Sequence, residues 1–295
     1  MTQKRLCITS LLDLIPITIY PYYSLNPKNM KKIIFLVPVF LFITLSCQKK
    51  QVAEINYLIP REIIDLGTLV TEDLPYQIWG KEAMDAFGFE KANQFDVREW
   101  EFDFGNGKIT GSNAYYTLFN HGGPHIDGPN HMDLGGGLDV YPIEKFVGPL
   151  KVFDVTGYPN GRTIPIEIFK DKVNPGDVVM VYTGYVPPQS EKSPPELVTL
   201  SFEAAEYLAE LPVRAFATDA FSVFCTDDAH PVESDIASQR VAPIHYAFLS
   251  RSIPIYEELF NVNKVLDKEN TLFVGAPLNI KDGDGTLVRP VVLVY

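Results

Sequence analysis

Residues 121–131 read HGGPHIDGPNH, and this stretch contains three of the five histidines in the 295-residue chain. An aspartate stands between the second and the third histidine. Histidine is the commonest metal ligand and the usual general base near neutral pH. The pattern therefore admits two hypotheses. One is a metal site that carries its own proton-transfer group, and the other is a polar loop held by hydrogen bonds.

The spacing of these residues restricts the backbone that they can occupy. His121 and His125 are four apart, as on one face of a helix, but the glycines and the proline at 122–124 strongly disfavour a helix. A loop or the start of a strand is predicted instead. In extended backbone, His125 and Asp127 point to the same side. A glycine-rich turn folds His121 back beside them, and His131 follows after a further bend.

The ligand types indicate which metal and which kind of site to expect. Two imidazoles and a carboxylate suit zinc, manganese or iron. Closed structural zinc sites normally have four ligands, often with thiolates, whereas this stretch has no cysteine. An open site with catalytic function is therefore favoured over a structural one.

The same stretch resembles the signature of the metal-dependent cyclase family, which includes bacterial kynurenine formamidases and isatin hydrolases. That signature reads His-x-Gly-Thr-His-x-Asp-x-Pro-x-His, and the chain departs from it only at Pro124, where the signature has threonine. From Ile63 onward, further segments are similar to the family in the expected order: IIDLGTLVTEDLP, GPLKVFDV, VNPGDVVMVYTG, ATDAFSV, APIHYAFLSRSIPIYEELFNV and APLNIKDGDGTLVRPV.

The resemblance implies a ligand set, a fold and an assembly. It implies one or two divalent ions, zinc or manganese, with Asp127 able to bridge two ions and His131 as the catalytic acid or base. It also implies a swivelling β/β/α fold and a dimer or tetramer. Glu258 is an alternative to Glu257 as a metal ligand. The implied metal ligands are His121, His125, Asp127, His245 and Glu257.

The predicted function is hydrolysis of an amide or cyclic amide C–N bond, in an aryl formamide or an isatin-like substrate. Metal-bound hydroxide would attack the carbonyl, and His131 would pass a proton to the leaving nitrogen. No GxSxG motif points to a serine nucleophile instead. The alternative is a catalytically inactive, lipid-anchored protein that binds metal or a small molecule. Pro124 is the reason for considering this alternative, because proline lacks both the threonine hydroxyl and the backbone N–H.

Residues outside the motif receive simpler interpretations. From its neighbours alone, His245 is a packed surface residue on a helix, His230 an exposed loop residue and Cys225 a buried thiol. Core packing is the expected role of most aromatic residues. A few of them could instead line a pocket for a planar substrate, namely Trp79, Tyr115, Tyr116 and Phe119.

Short β-branched and aromatic runs between turn residues predict seven strands, in the segments beginning at residues 61, 98, 151, 177, 214, 270 and 289. Helices are predicted in three segments: PIEIFKD, SFEAAEYLAEL behind the N-cap Ser201, and APIHYAFLSR. The expected fold is a single α/β domain over residues 61–295, rich in strands and poor in helices.

The first fifty residues have a different character, with seven basic side chains and one acidic one. From Met30, MKKIIFLVPVFLFITLSCQKK combines two lysines, a short apolar core and a small residue before Cys47. That core is shorter than the ~20 residues of a spanning helix, so a secretory signal is predicted. Cys47 is the expected lipidation site of an exported, membrane-anchored bacterial lipoprotein. Residues 1–47 form the leader, of which 1–29 could reflect a wrong start codon, and residues 48–60 form a linker.

The charge of the remaining chain limits its partners. These 245 residues carry 18 basic and 36 acidic side chains, a net charge of −18. An acidic body repels phosphate backbones, which argues against nucleic-acid binding. The expected partner is a small-molecule substrate, and contact with a membrane is expected only through the lipid on Cys47.

Overall fold

The fold is organised by a nine-stranded mixed sheet. The computed structural model describes residues 59–86, 88, 93–159, 162–187, 198–223 and 242–295. The predicted leader, the linker as far as residue 58, Cys225 and His230 lie outside these residues. The sheet order is β1-β13-β11-β5-β7-β9-β10-β4-β12. These strands are β1 (Glu62–Asp65), β4 (His125–Asp127), β5 (Val147–Asp154), β7 (Val178–Tyr182), β9 (Ala215–Thr218), β10 (Ile255–Glu257), β11 (Thr271–Val274), β12 (Gly285–Leu287) and β13 (Val291–Val294).

Smaller elements complete the described part of the chain. Two strands pair only with each other in a long hairpin, β2 (Gln94–Asp103) and β3 (Lys108–Thr117), and two short ones form a parallel pair, β6 (Thr163–Ile164) and β8 (Thr199–Leu200). The described residues form four α-helices: α1 (Leu74–Trp79), α2 (Lys81–Ala86), α3 (Phe202–Glu210) and α4 (Pro243–Leu249). The predicted strand-rich α/β fold is confirmed. None of the helices found in the described ranges is long and apolar enough to span a bilayer.

Most of the predicted elements are found, with one correction among the helices. All seven predicted strand segments contain a strand, and Ser201 caps α3 by accepting a hydrogen bond from the Ala204 N–H at 3.1 Å. The helix predicted in PIEIFKD is wrong, since only the 3₁₀ turn Ile166–Ile168 forms there. Asp171, the last residue of the segment, adopts left-handed backbone with φ 61°, so a helix could not continue past Lys170.

The centre of the sheet is buried on both faces because its strands alternate between two cores. Strands β5, β7, β9 and β10 run parallel to one another, and the pairs nearer the edges are antiparallel. Val179 and Phe216 face a core that also contains residues of α3 and α4, while Val178, Met180 and Ala217 face the opposite core. Side chains of a strand alternate with period two, so such strands are apolar throughout.

The same alternation aims the polar residues of β4 at one point. Ile126 belongs to the core on the face opposite α4, so His125 and Asp127 point to the same side, as predicted, and this is the side of α4. Strand β10 pairs antiparallel with β4, and the register places Glu257 opposite His125. The sheet thereby gathers residues that are about 130 positions apart in the chain.

On its other side, β4 pairs with β12, and Gly285 lies opposite Asp127. A Cβ at Gly285 would lie 2.6 Å from Cε1 of His121 and 2.8 Å from the carbonyl oxygen of Ile126. Both distances are shorter than van der Waals contact. A side chain at this position would therefore displace either the histidine or the backbone of β4.

We expect Gly285→Ala to destabilise the protein by about 1–3 kcal/mol, the usual cost of overpacking a buried site. Urea denaturation monitored by circular dichroism measures the change. The matched control is Gly157→Ala, because a Cβ at Gly157 meets no atom within 4 Å. Equal stability of the two variants would contradict the close approach seen at Gly285.

Candidate metal centre

The structure brings all five predicted metal ligands together, in two groups that share Asp127. In the first group, Nδ1 of His121 lies 3.0 Å and Nε2 of His125 lies 3.3 Å from Oδ1 of Asp127. In the second group, Nε2 of His245 lies 3.7 Å from Oδ2 of Asp127 and 3.5 Å from Oε1 of Glu257. Each oxygen of Asp127 therefore faces a different group.

These separations fit a divalent ion. Two ligand atoms that are each about 2.1 Å from a tetrahedral zinc ion lie about 3.4 Å apart. Asp127 is completely buried, and neither of its carboxylate oxygens has a hydrogen-bond partner within the described residues. A buried carboxylate without a donor is costly unless a cation compensates it. An ion between the imidazoles and the carboxylates would supply that compensation.

Burial and the neighbouring imidazoles shift the pKa values of the buried acidic groups strongly, and not all in the same direction. Glu257 and Glu258 are 4% and 2% exposed, and burial raises the pKa of both carboxyls well above the usual range. Burial also acts to raise the pKa of Asp127. The imidazoles of His131, His125 and His121 outweigh it and hold that pKa well below the usual range.

The histidines present their ring nitrogens differently. Burial lowers the pKa of His245 to about 3, so this imidazole is neutral near pH 7 and keeps a lone pair. Nδ1 of His125 lies 2.9 Å from the carbonyl oxygen of Gly123, to which it donates. Nε2 of His125 therefore remains as the ligand atom that faces Asp127 and Glu257.

His121 is held by carboxylates on both sides. Nε2 lies 2.9 Å from Oδ2 of Asp284, while Nδ1 faces Asp127. Burial alone would lower the pKa of His121, but the two carboxylates outweigh burial and raise the pKa to about 10. A metal ion that binds Nδ1 therefore displaces a proton from this imidazole.

His131 lies at the open side of the cluster. It belongs to the 3₁₀ helix Pro129–Met132, directly after β4. Its ring centroid is 4.4 Å from that of His121 and 5.5 Å from that of His245. His131 is exposed as a residue, but its ring faces the cluster, and partial desolvation lowers its pKa. This position is suitable for proton transfer to a molecule bound at the cluster.

Glu258 meets the cluster at Nδ1 of His125, which lies 3.9 Å from its Oε2, on the side of the ring opposite the nitrogen that faces Asp127 and Glu257. Its backbone is left-handed, with φ 60°, and its carboxylate binds the loop that precedes β4. Oε2 accepts a hydrogen bond from the Gly123 N–H at 2.6 Å, and Oε1 accepts one from Nε1 of Trp79 at 3.0 Å. The geometry therefore favours Glu257 over Glu258 as the ligand, and Glu258 orders the loop instead.

The aromatic residues fall into two sets. Trp79 packs edge-on against Phe119 and Phe221, and its Nε1 also donates to the carbonyl oxygen of His121 at 2.9 Å. It thereby fixes the first histidine of the motif. Tyr115 and Tyr116 are 69% and 63% exposed on the hairpin. Core packing therefore does not account for these two tyrosines, because they lie on the hairpin outside the buried core.

Two further residues depart from the sequence interpretation. His245, read from its neighbours alone as a packed surface residue, is 2% exposed and faces Asp127. Asp284 was missed, although it reaches His121 from the KDGDGT segment and accepts a hydrogen bond from Nδ2 of Asn120 at 2.8 Å. The only signal for it was an aspartate in a glycine-rich turn. Pro124 is accommodated at the start of β4, where its carbonyl oxygen accepts from the Val288 N–H at 2.8 Å.

We expect Asp284→Asn to weaken binding of Zn²⁺ or Mn²⁺ by about 10- to 100-fold, the usual effect of losing the partner of a ligating histidine. Competition with a chromophoric chelator measures the dissociation constant. Asp282→Asn is the matched control, because Asp282 lies nearby, is exposed and directs its carboxylate to Lys281 on the surface. Equal metal affinities of the two variants would show that Asp284 does not contribute to metal binding.

Comparison with known proteins agrees with the motif. The model of the Cyclase family matches residues 59–223. The chain is 30% identical over 177 residues to a kynurenine formamidase of Salinibacter ruber. The aligned region covers 59% of this chain and 76% of the relative. It is also 27% identical over 178 residues to a kynurenine formamidase of Bacillus cereus, and that aligned region covers 60% of this chain and 77% of the relative.

Solved structures share the fold at lower identity. An isatin hydrolase bound to the product analogue thioisatinate superposes with a TM-score of 0.60 at 17% identity, covering 85% of this chain and 98% of the other. Isatin hydrolase A from Labrenzia aggregata superposes with a TM-score of 0.55 at 23% identity. The match covers 79% of this chain and 93% of that chain. These matches confirm the fold that the resemblance implied. The family model matches more than half of the chain, and this match shows that the chain belongs to the Cyclase family.

Proposed function

We propose that this protein is a metal-dependent hydrolase that cleaves the C–N bond of an amide or a cyclic amide. The observation that carries the proposal is Asp127, whose two buried carboxylate oxygens each face a different group of imidazole nitrogens. Relatives named kynurenine formamidase and structural neighbours named isatin hydrolase support this reaction class and favour an aryl formamide or isatin-like substrate.

The five candidate ligands form two sets, each of which could bind one ion. His121, His125 and one oxygen of Asp127 would hold one ion, and the other oxygen of Asp127 with His245 and Glu257 would hold a second. Zinc and manganese both suit this mixture of imidazole and carboxylate. When bound, such an ion lowers the pKa of water and polarises a carbonyl group.

His131 performs the proton transfer in this proposal. Its lowered pKa keeps the imidazole neutral near pH 7, so it first takes a proton from the attacking water. It then gives that proton to the nitrogen of the breaking C–N bond, which becomes the amine of a separate product from a formamide, or of the ring-opened product from a cyclic amide. Trp79 and Glu258 keep the loop of His121 in place while this happens. No covalent intermediate with the protein is required.

We expect the metal-loaded protein to hydrolyse N-formylkynurenine, formanilide or isatin. His131→Gln should retain stoichiometric metal but lose about 10²- to 10⁴-fold in kcat, the usual contribution of a general acid or base. Steady-state kinetics with elemental analysis measure both quantities. Asp133→Asn is the control, because this exposed residue adopts left-handed backbone that asparagine tolerates.

Two outcomes would contradict the proposal in different ways. Full activity of His131→Gln would exclude this histidine from the chemistry. Binding of metal without turnover of any amide, imide or lactone would favour the alternative, a binding protein that has lost catalysis. The proline at position 124 is the feature that motivates this alternative. Restoring the family residue with Pro124→Thr would then be expected to restore turnover.

We also propose that the protein is exported and anchored by a lipid on Cys47. The support is the sequence from Met30 to Lys50, with its basic start, short apolar core and cysteine after a small residue. Cys47→Ser should abolish incorporation of labelled palmitate and move the protein from the membrane to the soluble fraction. Cys225→Ser is the control and should behave as the parent does. A Cys47→Ser protein that still carries label would contradict the assignment.

A further inference from the structure

Two loops at the open side of the candidate metal centre are fastened to each other. The first comprises residues 128–140 and carries His131, and the second comprises residues 279–285 and carries Asp284. The Gly128 N–H donates to the carbonyl oxygen of Asp284 at 2.7 Å, and other hydrogen bonds of 2.8–3.0 Å also join the loops. The backbones that carry the histidine and the aspartate are therefore held at a fixed separation.

Asp284 brings a carboxylate to the outer nitrogen of His121. Its Oδ2 lies 2.9 Å from Nε2 of His121, and its Oδ1 accepts a hydrogen bond from Nδ2 of Asn120 at 2.8 Å. Nδ1 of the same imidazole faces Asp127, so the two nitrogens of His121 serve different sides of the cluster. The side chain of Asp284 is 48% exposed, which makes the Nε2 side of His121 the side nearer the surface.

His131 completes a second group of ligand atoms, which shares only His121 with the five candidate ligands. One nitrogen or carboxylate oxygen from each of His121, His131 and Asp284 lies within 4.8 Å of the other two. These three residues are called the rim site here. Two atoms bound to one tetrahedral zinc ion lie about 3.4 Å apart, so the side chains need to approach one another by at most about 1.4 Å. Rotation of the exposed side chains is sufficient for that.

The charge of the two loops also favours a cation at the rim site. Together they contain one lysine, no arginine and four aspartates: Asp133, Asp139, Asp282 and Asp284. The lysine, Lys281, lies 3.4 Å from Asp282 on the surface. The loops therefore carry a surplus of negative charge, which raises the local concentration of cations.

We propose that the rim site binds an additional zinc ion, more weakly than the ions held by the five candidate ligands. Two imidazoles and a carboxylate are a set that zinc accepts while it keeps a position for water. Binding is weaker because His131 and Asp284 are not buried and because an ion at the metal centre repels another nearby. The ion replaces the proton between Nε2 of His121 and Asp284, and that proton passes to the solvent.

An ion at the rim site inhibits the reaction proposed above. His131 transfers the proton in that reaction, and an imidazole whose lone pair binds a metal ion cannot take a proton from water. Zinc then has two opposite effects, because the tightly bound ions are required for turnover and the weakly bound ion blocks it. This inhibition rests on the proposed function, whereas binding of the additional ion does not.

Equilibrium dialysis of the full chain against a series of zinc concentrations, in one detergent throughout, tests the proposal. We expect one weakly bound ion beyond those that remain after gel filtration. His131→Gln should keep the tightly bound ions but weaken the additional one by about 10-fold or more, because loss of even a supporting residue usually costs that much. The matched control Asp282→Asn removes one negative charge from the same loops but no ligand, and it should keep the additional ion.

Three binding results would overturn the proposal. Equal weak binding by the parent and His131→Gln would show an adventitious ion only. An equal loss of the additional ion from Asp282→Asn and His131→Gln would show attraction by charge without a ligand set. Loss of a tightly bound ion from His131→Gln would place this histidine in the metal centre itself.

Turnover measured over the same zinc series separates this proposal from the proposed function. We expect the parent to lose about 10²- to 10⁴-fold in kcat as the additional ion binds, which is the contribution of a general acid or base. The residual activity of His131→Gln should not respond to zinc in that range. A protein that binds the additional ion through His131 but turns over no amide would support the rim site and contradict the proposed function. Full turnover with the additional ion bound would overturn the inhibition.

Discussion

The burial of one carboxylate, that of Asp127, is the constraint on which the rest of the site depends. A charged group in a dry interior is tolerated only when opposite charge or hydrogen-bond donors surround it. Within the described residues neither oxygen has a hydrogen bond of good geometry, and the nearest polar atoms are imidazole nitrogens, of which Nδ1 of His121 lies 3.0 Å from Oδ1. The fold thus gathers metal-binding atoms around a carboxylate whose charge is balanced by the imidazoles and, when an ion binds, by that ion.

The surrounding elements serve this arrangement. Strand β4 is three residues long, but it lies between β10 and β12, so its pleat decides which side chains reach the α4 side of the sheet. Gly285 on β12 leaves the space that His121 occupies. Trp79 and Glu258, which are distant in sequence, bind the backbone of the loop before β4. The ligands are therefore held by packing and hydrogen bonds before any ion arrives.

Much of this was predictable from the sequence, and the failures have physical causes. The runs that became the central strands β7 and β9 left a clear pattern because these strands are buried on both faces, and the alternation of His125 and Asp127 gave their common direction. Strands β10 and β12 were not predicted, since three residues cannot show a period of two. Asp284 gave no signal either, because its partner is 163 positions away and only the sheet register brings them together.

The distribution of the ligands has a consequence for folding. The groups that face one another come from a loop, from the edge of the sheet and from a helix that lies more than a hundred residues further along the chain. An ion held by all of them would act as a cross-link between segments that are distant along the chain. Ligands that bind only the native state stabilise it by mass action. The resistance of this sheet edge to unfolding would then follow the metal supply of the compartment in which the protein works.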